Sequence, residues 1–307
     1  MSASMYQQTI TKPVRCSGSG LHTGLPVNMV LKPAPENSGI QFFRKDLGNQ
    51  PIPALNANLS DTRYATSLSS GGVEVRTVEH LMSALYGLEI DNLQVELNGP
   101  EVPILDGSAA PFVRLLTQAG VVPQRSLRRY LAVRRKVEVV DGDRKIQVFP
   151  SSGLRVSYAI DFQHPLIPYQ EISMSITPER YLGEIASART FCRLEDVKRL
   201  RALGLVRGGS LQNAVVVTQN RFLNGNLRYR NEFVRHKILD LLGDLGLAGH
   251  RLLGHIVAFR AGHELHTRFL TALLSDPDAW ELVTRPIPAS ENEAGALEPA
   301  VAAGSPS

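Results

Sequence analysis

The chain has 307 residues, of which 43% are hydrophobic and 20% charged, as is typical of a globular protein with room for about two domains. Its two cysteines, Cys16 and Cys192, are too few for a disulfide framework or a cysteine-rich zinc module. No segment approaches the ~18 consecutive apolar residues of a membrane span, and the first residues lack the apolar region of a secretory signal. We therefore expect a cytoplasmic protein without a transmembrane segment, in which any metal is held by histidines and carboxylates.

The net charge of +4 is too small to require a nucleic-acid partner, and we predict none. Basic residues do cluster at residues 125–129 and 134–136. These clusters fit a solvated linker and a strand edge, or alternatively a surface that attracts a phosphorylated ligand or an anionic membrane.

Hydrophobic periodicity predicts strands and helices in alternation along the first half of the chain. The predicted strands are residues 27–31, 73–76 and 93–97, and the predicted helices are residues 78–86 and 109–119. Thr77 is expected to cap the first helix, which places Glu79 in the first turn, where the helix dipole favours a carboxylate. A linker is predicted from residue 121 to residue 129.

The first half ends in a helix, a strand and a helix, and the second half ends in the same order of elements. Strands at 130–140 and 145–149 flank Asp141-Gly142-Asp143, which predicts a hairpin. The remaining predicted elements are strands at 154–162, 214–218 and 255–260 and helices at 232–247 and 264–274. We therefore predict an α+β fold of two similar sheet-and-helix layered domains, packed face to face with the active site between them.

Each of the two predicted domains carries some of the candidate site residues. Residues 1–124 carry Glu79 and His80, residues 125–287 carry the histidines and aspartates of the later helices, and residues 288–307 form a disordered tail.

The helix at 232–247 carries the clearest stereochemical signal. His236, Asp240 and Asp244 are spaced i, i+4 and i+8, so their side chains project from nearly the same face. The apolar residues between them predict a buried helix, in which an unpaired histidine or aspartate would be costly. A metal ion or a polar partner must compensate, although a simple His–Asp pair on the shoulder of the helix is a common alternative.

Glu79 and His80 supply the complementary groups. Adjacent helical residues point about 100° apart, so His80 can bind a metal ion while Glu79 reaches a water molecule. Two histidines and one aspartate match the three protein ligands of a hydrolytic zinc site, which leaves a position for water. The same ligand types also occur in non-haem iron oxygenases.

Four other segments are interpreted first as structural. Residues 18–24 are rich in glycine but lack the spacing of a nucleotide-binding loop, and residues 106–111 fit a turn that leads into a helix. Residues 187–191 and 261–263, taken singly, fit packing or capping.

Seven ordered motifs stand out between about residue 9 and residue 284: Gly-Leu-His-Thr-Gly at 20–24, Thr-Val-Glu-His-Leu at 77–81, Pro-Ile-Leu-Asp-Gly-Ser-Ala-Ala-Pro-Phe at 103–112, Asp-Phe-Gln-His-Pro at 161–165, Ala-Arg-Thr-Phe at 188–191, Glu-Phe-Val-Arg-His-Lys-Ile-Leu-Asp at 232–240 and Gly-His at 262–263. Taken together, these motifs resemble those of the UDP-3-O-acyl-N-acetylglucosamine deacetylases, the zinc amidases of lipid A biosynthesis in Gram-negative cells. The family's fold is a pair of sheet-and-helix domains with the active site between them.

The resemblance implies a role for each matching residue. The implied metal ligands are His80, His236 and Asp240, which would hold one Zn²⁺ per chain, with Fe²⁺ as an alternative ion in the cell. Glu79 would be the base that acts on water, and His263, oriented by Asp244, would be the general acid. Thr190 would stabilise the carbonyl oxygen.

Substrate contacts are implied in the same way. Lys237 and Phe191 would contact the substrate, and the positions used around the nucleotide would be Asp161, Phe162, Arg144 and Arg260. Residues 191–214 would form a passage for the acyl chain. Arg63 and Arg193 stand where an apolar lining is expected, so the preferred chain length stays open.

The implied reaction is hydrolysis of the N-acetyl group of UDP-3-O-(3-hydroxyacyl)-N-acetylglucosamine to acetate and a free amine, an early committed step of lipid A and hence lipopolysaccharide biosynthesis. We expect a monomer with at most peripheral contact with the inner membrane. The rival interpretations are a non-haem iron oxygenase and a non-enzymatic RNA-binding module. The oxygenase chemistry gives no role to Glu79 together with His263, and an RNA-binding module leaves the His-Asp constellation unexplained.

Overall fold

The computed structural model describes residues 5–284, so the tail predicted at residues 288–307 lies outside the described residues. Within this range, no helix combines the length and apolar character that crossing a bilayer requires. The α-helices are α1 (Glu79–Gly87), α2 (Ala110–Ala119), α3 (Pro178–Arg180), α4 (Leu194–Ala202), α5 (Glu232–Leu245) and α6 (His263–Leu274). The strands are β1 (Tyr6–Ile10), β2 (Val14–Ser19), β3 (Pro26–Pro33), β4 (Ile40–Arg44), β5 (Pro51–Pro53), β6 (Leu59–Asp61), β7 (Ser67–Ser70), β8 (Val73–Val75), β9 (Leu93–Leu97), β10 (Val121–Leu127), β11 (Tyr130–Val133), β12 (Val137–Asp141), β13 (Arg144–Phe149), β14 (Leu154–Ile160), β15 (Gln170–Ser175), β16 (Phe191–Arg193), β17 (Val215–Val217), β18 (Arg251–Phe259) and β19 (Trp280–Val283).

The first half is built on a five-stranded sheet in the order β2-β3-β9-β4-β5. Side chains alternate between the two faces of a strand, and every second residue of β9, at Leu93, Val95 and Leu97, is fully buried. Helix α2 packs against both α1 and β2. A small sheet, β6-β7-β8, leads directly into α1.

The second half is built on a seven-stranded sheet with β18 at its centre. Strand β18 pairs antiparallel with β13 and parallel with β11 and β14, and β12, β15 and β19 complete the sheet. Helices α5 and α6 pack against each other and against this sheet. The predicted α+β class is confirmed.

The two halves meet where α1 crosses α5. Gly243 of α5 lies against the backbone of Glu79, so closely that a Cβ atom at residue 243 would overlap the carbonyl oxygen of Glu79. Only glycine allows this approach. The crossing places the first turn of α1 beside the polar face of α5.

The hairpin predicted at residues 141–143 is confirmed, since Asp141 pairs with Arg144 and Gly142 adopts a positive φ of 59°. The linker prediction for residues 121–129 is wrong, because Val121–Leu127 forms β10 and pairs with β1. The single strand predicted at 130–140 is also wrong. It is divided into β11 and β12, which pair with different neighbours.

Three further predictions differ at the helices that carry the candidate site. Helix α5 ends at Leu245, before the predicted residue 247, and continues as a 3-10 turn, and α6 begins at His263, one residue before its predicted start. Thr77 does not cap α1, because its hydroxyl donates instead to Glu101 at 2.9 Å. Thr77 has a φ of 56°, a strained conformation for a β-branched residue.

Candidate metal centre and active site

The polar face of α5 and the first turn of α1 form one buried cluster. Atoms of His80, His236 and Asp240 that could bind a metal lie within 4.8 Å of one another. Oδ1 of Asp240 is 3.3 Å from Nε2 of His236 and 3.8 Å from Nε2 of His80. The predicted spacing on α5 therefore brings His236 and Asp240 together, and the helix crossing adds His80.

The arrangement of hydrogen bonds in this cluster fits a metal ion. Nδ1 of His236 donates to the carbonyl oxygen of Ala188 at 3.1 Å, which leaves its Nε2 lone pair facing Asp240. Among residues 5–284, the buried Oδ1 of Asp240 has no hydrogen-bond partner. A buried carboxylate oxygen that faces two imidazole nitrogens without a hydrogen bond is costly unless a cation lies between them. Two histidines and an aspartate are the donor types that bind catalytic zinc.

The protonation states in the cluster also suit metal binding. Burial, and then the neighbouring His236, lower the pKa of His80 to about 3, so its ring is neutral at physiological pH. Burial opposes ionisation of Asp240, but the charge that His236 carries at low pH and the charge of Lys237 outweigh it and hold the pKa of this carboxyl far below its usual range. Lys237 donates to Oδ2 of Asp240 at 2.9 Å. Metal ligands must be deprotonated, and these are.

Glu79 lies beside the cluster with one restrained carboxylate oxygen. Its Oε2 accepts the backbone N–H of Thr66 at 3.0 Å. Burial is the main reason that the pKa of Glu79 rises to about 7, and the nearby carboxylates of Asp240 and Asp244 add to the rise. A carboxylate with a pKa near neutrality is suited to accept a proton in catalysis.

His263 also lies near Asp240 and is held by Asp244. Nδ1 of His263 is 2.8 Å from Oδ2 of Asp244, and its Nε2 is 3.9 Å from Oδ2 of Asp240. Burial lowers the pKa of His263, but the charges of Asp244 and Asp240 outweigh burial and raise it to about 9. The environment thus keeps His263 protonated at the pH where Glu79 can ionise. A pair of groups with pKa values separated in this way can act as base and acid.

Thr190 lies in the loop that also orients His236. Its backbone N–H donates to Gly107 at 2.8 Å, and it is two residues after Ala188, whose carbonyl oxygen binds the His236 ring. The side chain of Arg189 is anchored in the same loop by Glu232, which is fully buried at the start of α5. The loop is therefore tied to the helix that carries the cluster.

Three of the predicted substrate-binding residues are adjacent to the cluster. The ring of Phe191 contacts those of His236 and Phe162, with centroids 6.2 and 5.4 Å apart, and Nζ of Lys237 lies 5.9 Å from the Phe191 centroid. Phe162 is exposed. These side chains form an aromatic and basic edge beside the candidate metal ligands.

The other three predicted nucleotide-binding residues lie in turns and ion pairs at the ends of strands. Asp161 accepts the backbone N–H of Gln163, Arg144 pairs with Asp141, and Arg260 pairs with Asp143 at 2.6 Å. None of these contacts joins them to the cluster of histidines.

The segment expected to form an acyl passage, residues 191–214, folds as β16, α4 and a series of turns. A cavity of about 360 Å³ lies between this segment and the loop around His22 and is lined in part by Leu25, Leu203 and Leu205. Arg63 and Arg193, which stand where an apolar lining is expected, form ion pairs with Asp61 and Asp196. Arg63 is highly exposed.

The sequence analysis missed three residues that complete the site. Thr66 donates its hydroxyl proton to Oδ1 of Asp244 at 2.6 Å, and His266 contacts Oδ2 of Asp244 at 2.8 Å. Tyr158 in turn contacts His266. The spacing of His263 and His266, i and i+3 on one helix, could have indicated the second of these.

Comparison with known proteins agrees with this geometry. Residues 7–275 match the model of the UDP-3-O-acyl N-acetylglycosamine deacetylase family. The chain belongs to this family. It is 46% identical to the UDP-3-O-acyl-N-acetylglucosamine deacetylase of Syntrophotalea carbinolica over 281 residues, which cover 91% of each chain. Proteins with the same name from Myxococcus xanthus and Acidithiobacillus ferrooxidans are 47% and 48% identical, over 92% and 90% of this chain and 90% and 92% of theirs.

Proposed function

We propose that the protein removes the N-acetyl group of UDP-3-O-(3-hydroxyacyl)-N-acetylglucosamine, giving acetate and a free amine for lipid A biosynthesis. Membership of the deacetylase family supports the reaction. The observation that carries the mechanism is the placement of Glu79 and His263, one with a pKa near neutrality and one with a raised pKa, beside a buried His-His-Asp cluster.

The residues that would hold one Zn²⁺ are His80, His236 and Asp240. When bound, the ion acts as a Lewis acid and makes water more acidic. The neutral histidines and the ionised aspartate require no proton release at physiological pH, because their pKa values are already low. Fe²⁺ accepts the same ligand types, so the ion used in the cell is open to measurement.

The chain's own residues would move the two protons of the reaction. Ionised Glu79 takes a proton from the water that attacks the amide carbonyl carbon, and the hydroxyl of Thr190 stabilises the carbonyl oxygen as it becomes negative. Protonated His263 then donates to the nitrogen as the C–N bond breaks. One water is consumed, and acetate and an amine leave.

Substrate recognition is proposed from the groups around the cluster. Lys237 and Phe191 would contact the sugar and phosphates, with Phe162, Asp161, Arg144 and Arg260 further along the nucleotide. The acyl chain would follow the segment at residues 191–214, where leucines line the adjoining cavity. We further propose that the protein is a cytoplasmic monomer. Because the substrate joins a water-soluble nucleotide to an acyl chain, contact of the protein with the inner membrane would be peripheral.

Acetate release from the acylated UDP-sugar, measured together with metal content, tests the function. Wild-type protein should release one acetate per substrate without consuming oxygen, and His236→Ala should lose metal and activity together. Each buried CH₂ of the acyl chain contributes up to about 0.8 kcal/mol, so the unacylated UDP-sugar should be a much poorer substrate. Metal-loaded protein that leaves the N-acetyl group intact would contradict the proposal.

A further inference from the structure

His266 shares with His263 the carboxylate that orients the candidate acid. It lies one turn after His263 on α6, is 1% exposed, and its Nδ1 is 2.8 Å from Oδ2 of Asp244. Nδ1 of His263 contacts the same oxygen at 2.8 Å. The hydroxyl of Thr66 donates to the other oxygen, Oδ1, at 2.6 Å. Three donors thus converge on one buried side chain.

The protons of this network can be assigned from its acceptors. Asp244 is ionised, so the ring nitrogen of His266 that faces it must carry a proton. The hydroxyl of Tyr158 donates to the carbonyl oxygen of Ala261 at 2.8 Å, and its oxygen lies 2.9 Å from the other ring nitrogen of His266, Nε2. Burial raises the pKa of Tyr158 well above its usual range, so the phenol keeps its proton. Tyr158 therefore connects His266 to the backbone just before α6.

The network restrains both torsions of the Asp244 side chain. Rotation of the carboxylate, which is only 1% exposed, would break the hydrogen bonds from Thr66, His263 and His266 at once. Without His266, only Thr66 and His263 would remain, and His263 is the group that must be held still. The rings of His263 and His266 are nearly perpendicular, with centroids 6.1 Å apart, so they converge through their N–H groups and do not stack.

We propose that His266, held by Tyr158, is a positioning residue: it fixes the Asp244 carboxylate in the orientation that binds Nδ1 of His263 and so directs Nε2 of His263 to the leaving nitrogen. The catalytic part of this inference rests on the proposed function. The hydrogen-bonding part depends only on contacts within the chain and not on the reaction.

Substitutions at residue 266 separate positioning from packing. His266→Leu removes the donor, whereas His266→Asn places an amide N–H near the position of Nδ1–H. Loss of a group that orients a catalytic residue costs roughly 10–100-fold in activity, so His266→Leu should lower kcat by about this factor with little change in KM or metal content. His266→Asn should recover most of kcat, and Tyr158→Phe should show a smaller loss.

Phe269→Leu is the matched control, because Phe269 is a fully buried residue of the same helix that lies in the apolar core. It should lower the melting temperature while leaving kcat close to that of the wild type. A loss of kcat in Phe269→Leu equal to that in His266→Leu would overturn the positioning role, as would a His266→Asn enzyme no better than His266→Leu.

A second measurement is independent of turnover. In the metal-free protein, the Nδ1–H proton of His263 should give a downfield, slowly exchanging NMR signal in the wild type and in His266→Asn, and this signal should be lost in His266→Leu. If the signal behaves in this way but the wild type releases no acetate, the proposed function fails and the positioning stands. An active His266→Leu enzyme with unchanged kcat and an unchanged signal would refute the inference.

Discussion

At the scale of single residues, a substitution at Glu79 separates metal binding from proton transfer most clearly. Its carboxylate accepts a hydrogen bond from the backbone N–H of Thr66, and the amide oxygen of glutamine can accept the same hydrogen bond. Glu79→Gln should therefore keep the fold and the metal but lower kcat by roughly 10²-fold or more, the range for losing a positioned base. Elemental analysis and acetate release measure the two properties.

His236→Ala is the complementary variant, since it should lose the metal. A Glu79→Gln enzyme that works at nearly the wild-type rate would show that another group accepts the proton from water.

The pH dependence of kcat/KM follows from two opposed requirements. Glu79 must be ionised, and because its pKa is raised to about 7, activity should fall as the pH decreases through that value. His263 must be protonated, and because its pKa is raised to about 9, activity should fall as the pH increases through that value. A bound divalent cation lowers both pKa values, so the two limbs of the bell-shaped profile of the active, metal-loaded enzyme should lie below these values.

His263→Ala tests the alkaline limb. Removal of the acid should slow the reaction and flatten or shift this limb with metal content intact. An unchanged rate and an unchanged limb would assign protonation of the leaving nitrogen to another group.

The residues that the sequence predicts best are those related by local geometry. His236, Asp240 and Asp244 share a face of α5 because helix spacing alone determines it. Thr66 and Tyr158 lie in a loop and a strand far away in the sequence, and no local period connects them with Asp244. Their roles depend on tertiary packing, so only the structure reveals them.

At the scale of elements, the crossing of α1 and α5 depends on Gly243. A methyl group there would overlap the Glu79 backbone, so Gly243→Ala should push the helices apart. Overpacking typically lowers the free energy of unfolding by about 1–3 kcal/mol, and displacement of Glu79 should also lower kcat.

Gly183→Ala is the control, because no described atom lies within 4 Å of a Cβ built at that position. Thermal unfolding and acetate release compare the two variants. Equal stability and activity would show that the close crossing is not needed.

Elements defined by local signals were predicted more accurately than those defined by distant partners. The hairpin of β12 and β13 follows from its turn residues, and α5 follows from its hydrophobic period. Strand β10 was missed because its sequence contains a proline and lacks a regular alternation of apolar and polar residues, and because its partner, β1, lies more than 100 residues earlier. The break between β11 and β12 reflects a change of sheet partner, which has no local signal.

At the scale of the whole molecule, the candidate ligands come from both halves of the chain. His80 belongs to α1 and packs against α5, which carries His236 and Asp240. The division into two domains, predicted near residue 124, stays a proposal. Because β10 pairs with β1 up to Leu127, we would now draw the boundary between Leu127 and Tyr130.

This division predicts that the metal also stabilises the folded chain as a bridge between its halves. A ligand that binds only the folded state at 100 times its Kd stabilises it by about 2.7 kcal/mol. Removal of the metal with a chelator should therefore lower the melting temperature of the wild type by several degrees, since 1 kcal/mol corresponds to roughly 2–4 °C in a chain of this size class. His236→Ala lacks a ligand, so the chelator should leave its melting temperature unchanged. Glu79→Gln keeps all three ligands and should respond as the wild type does.

If the chelator lowers the melting temperature of His236→Ala as much as that of the wild type, the stabilising metal is bound elsewhere. If it removes the metal from the wild type without any change in melting temperature, the metal does not bind the folded chain in preference to the unfolded chain, and the proposed stabilisation is wrong.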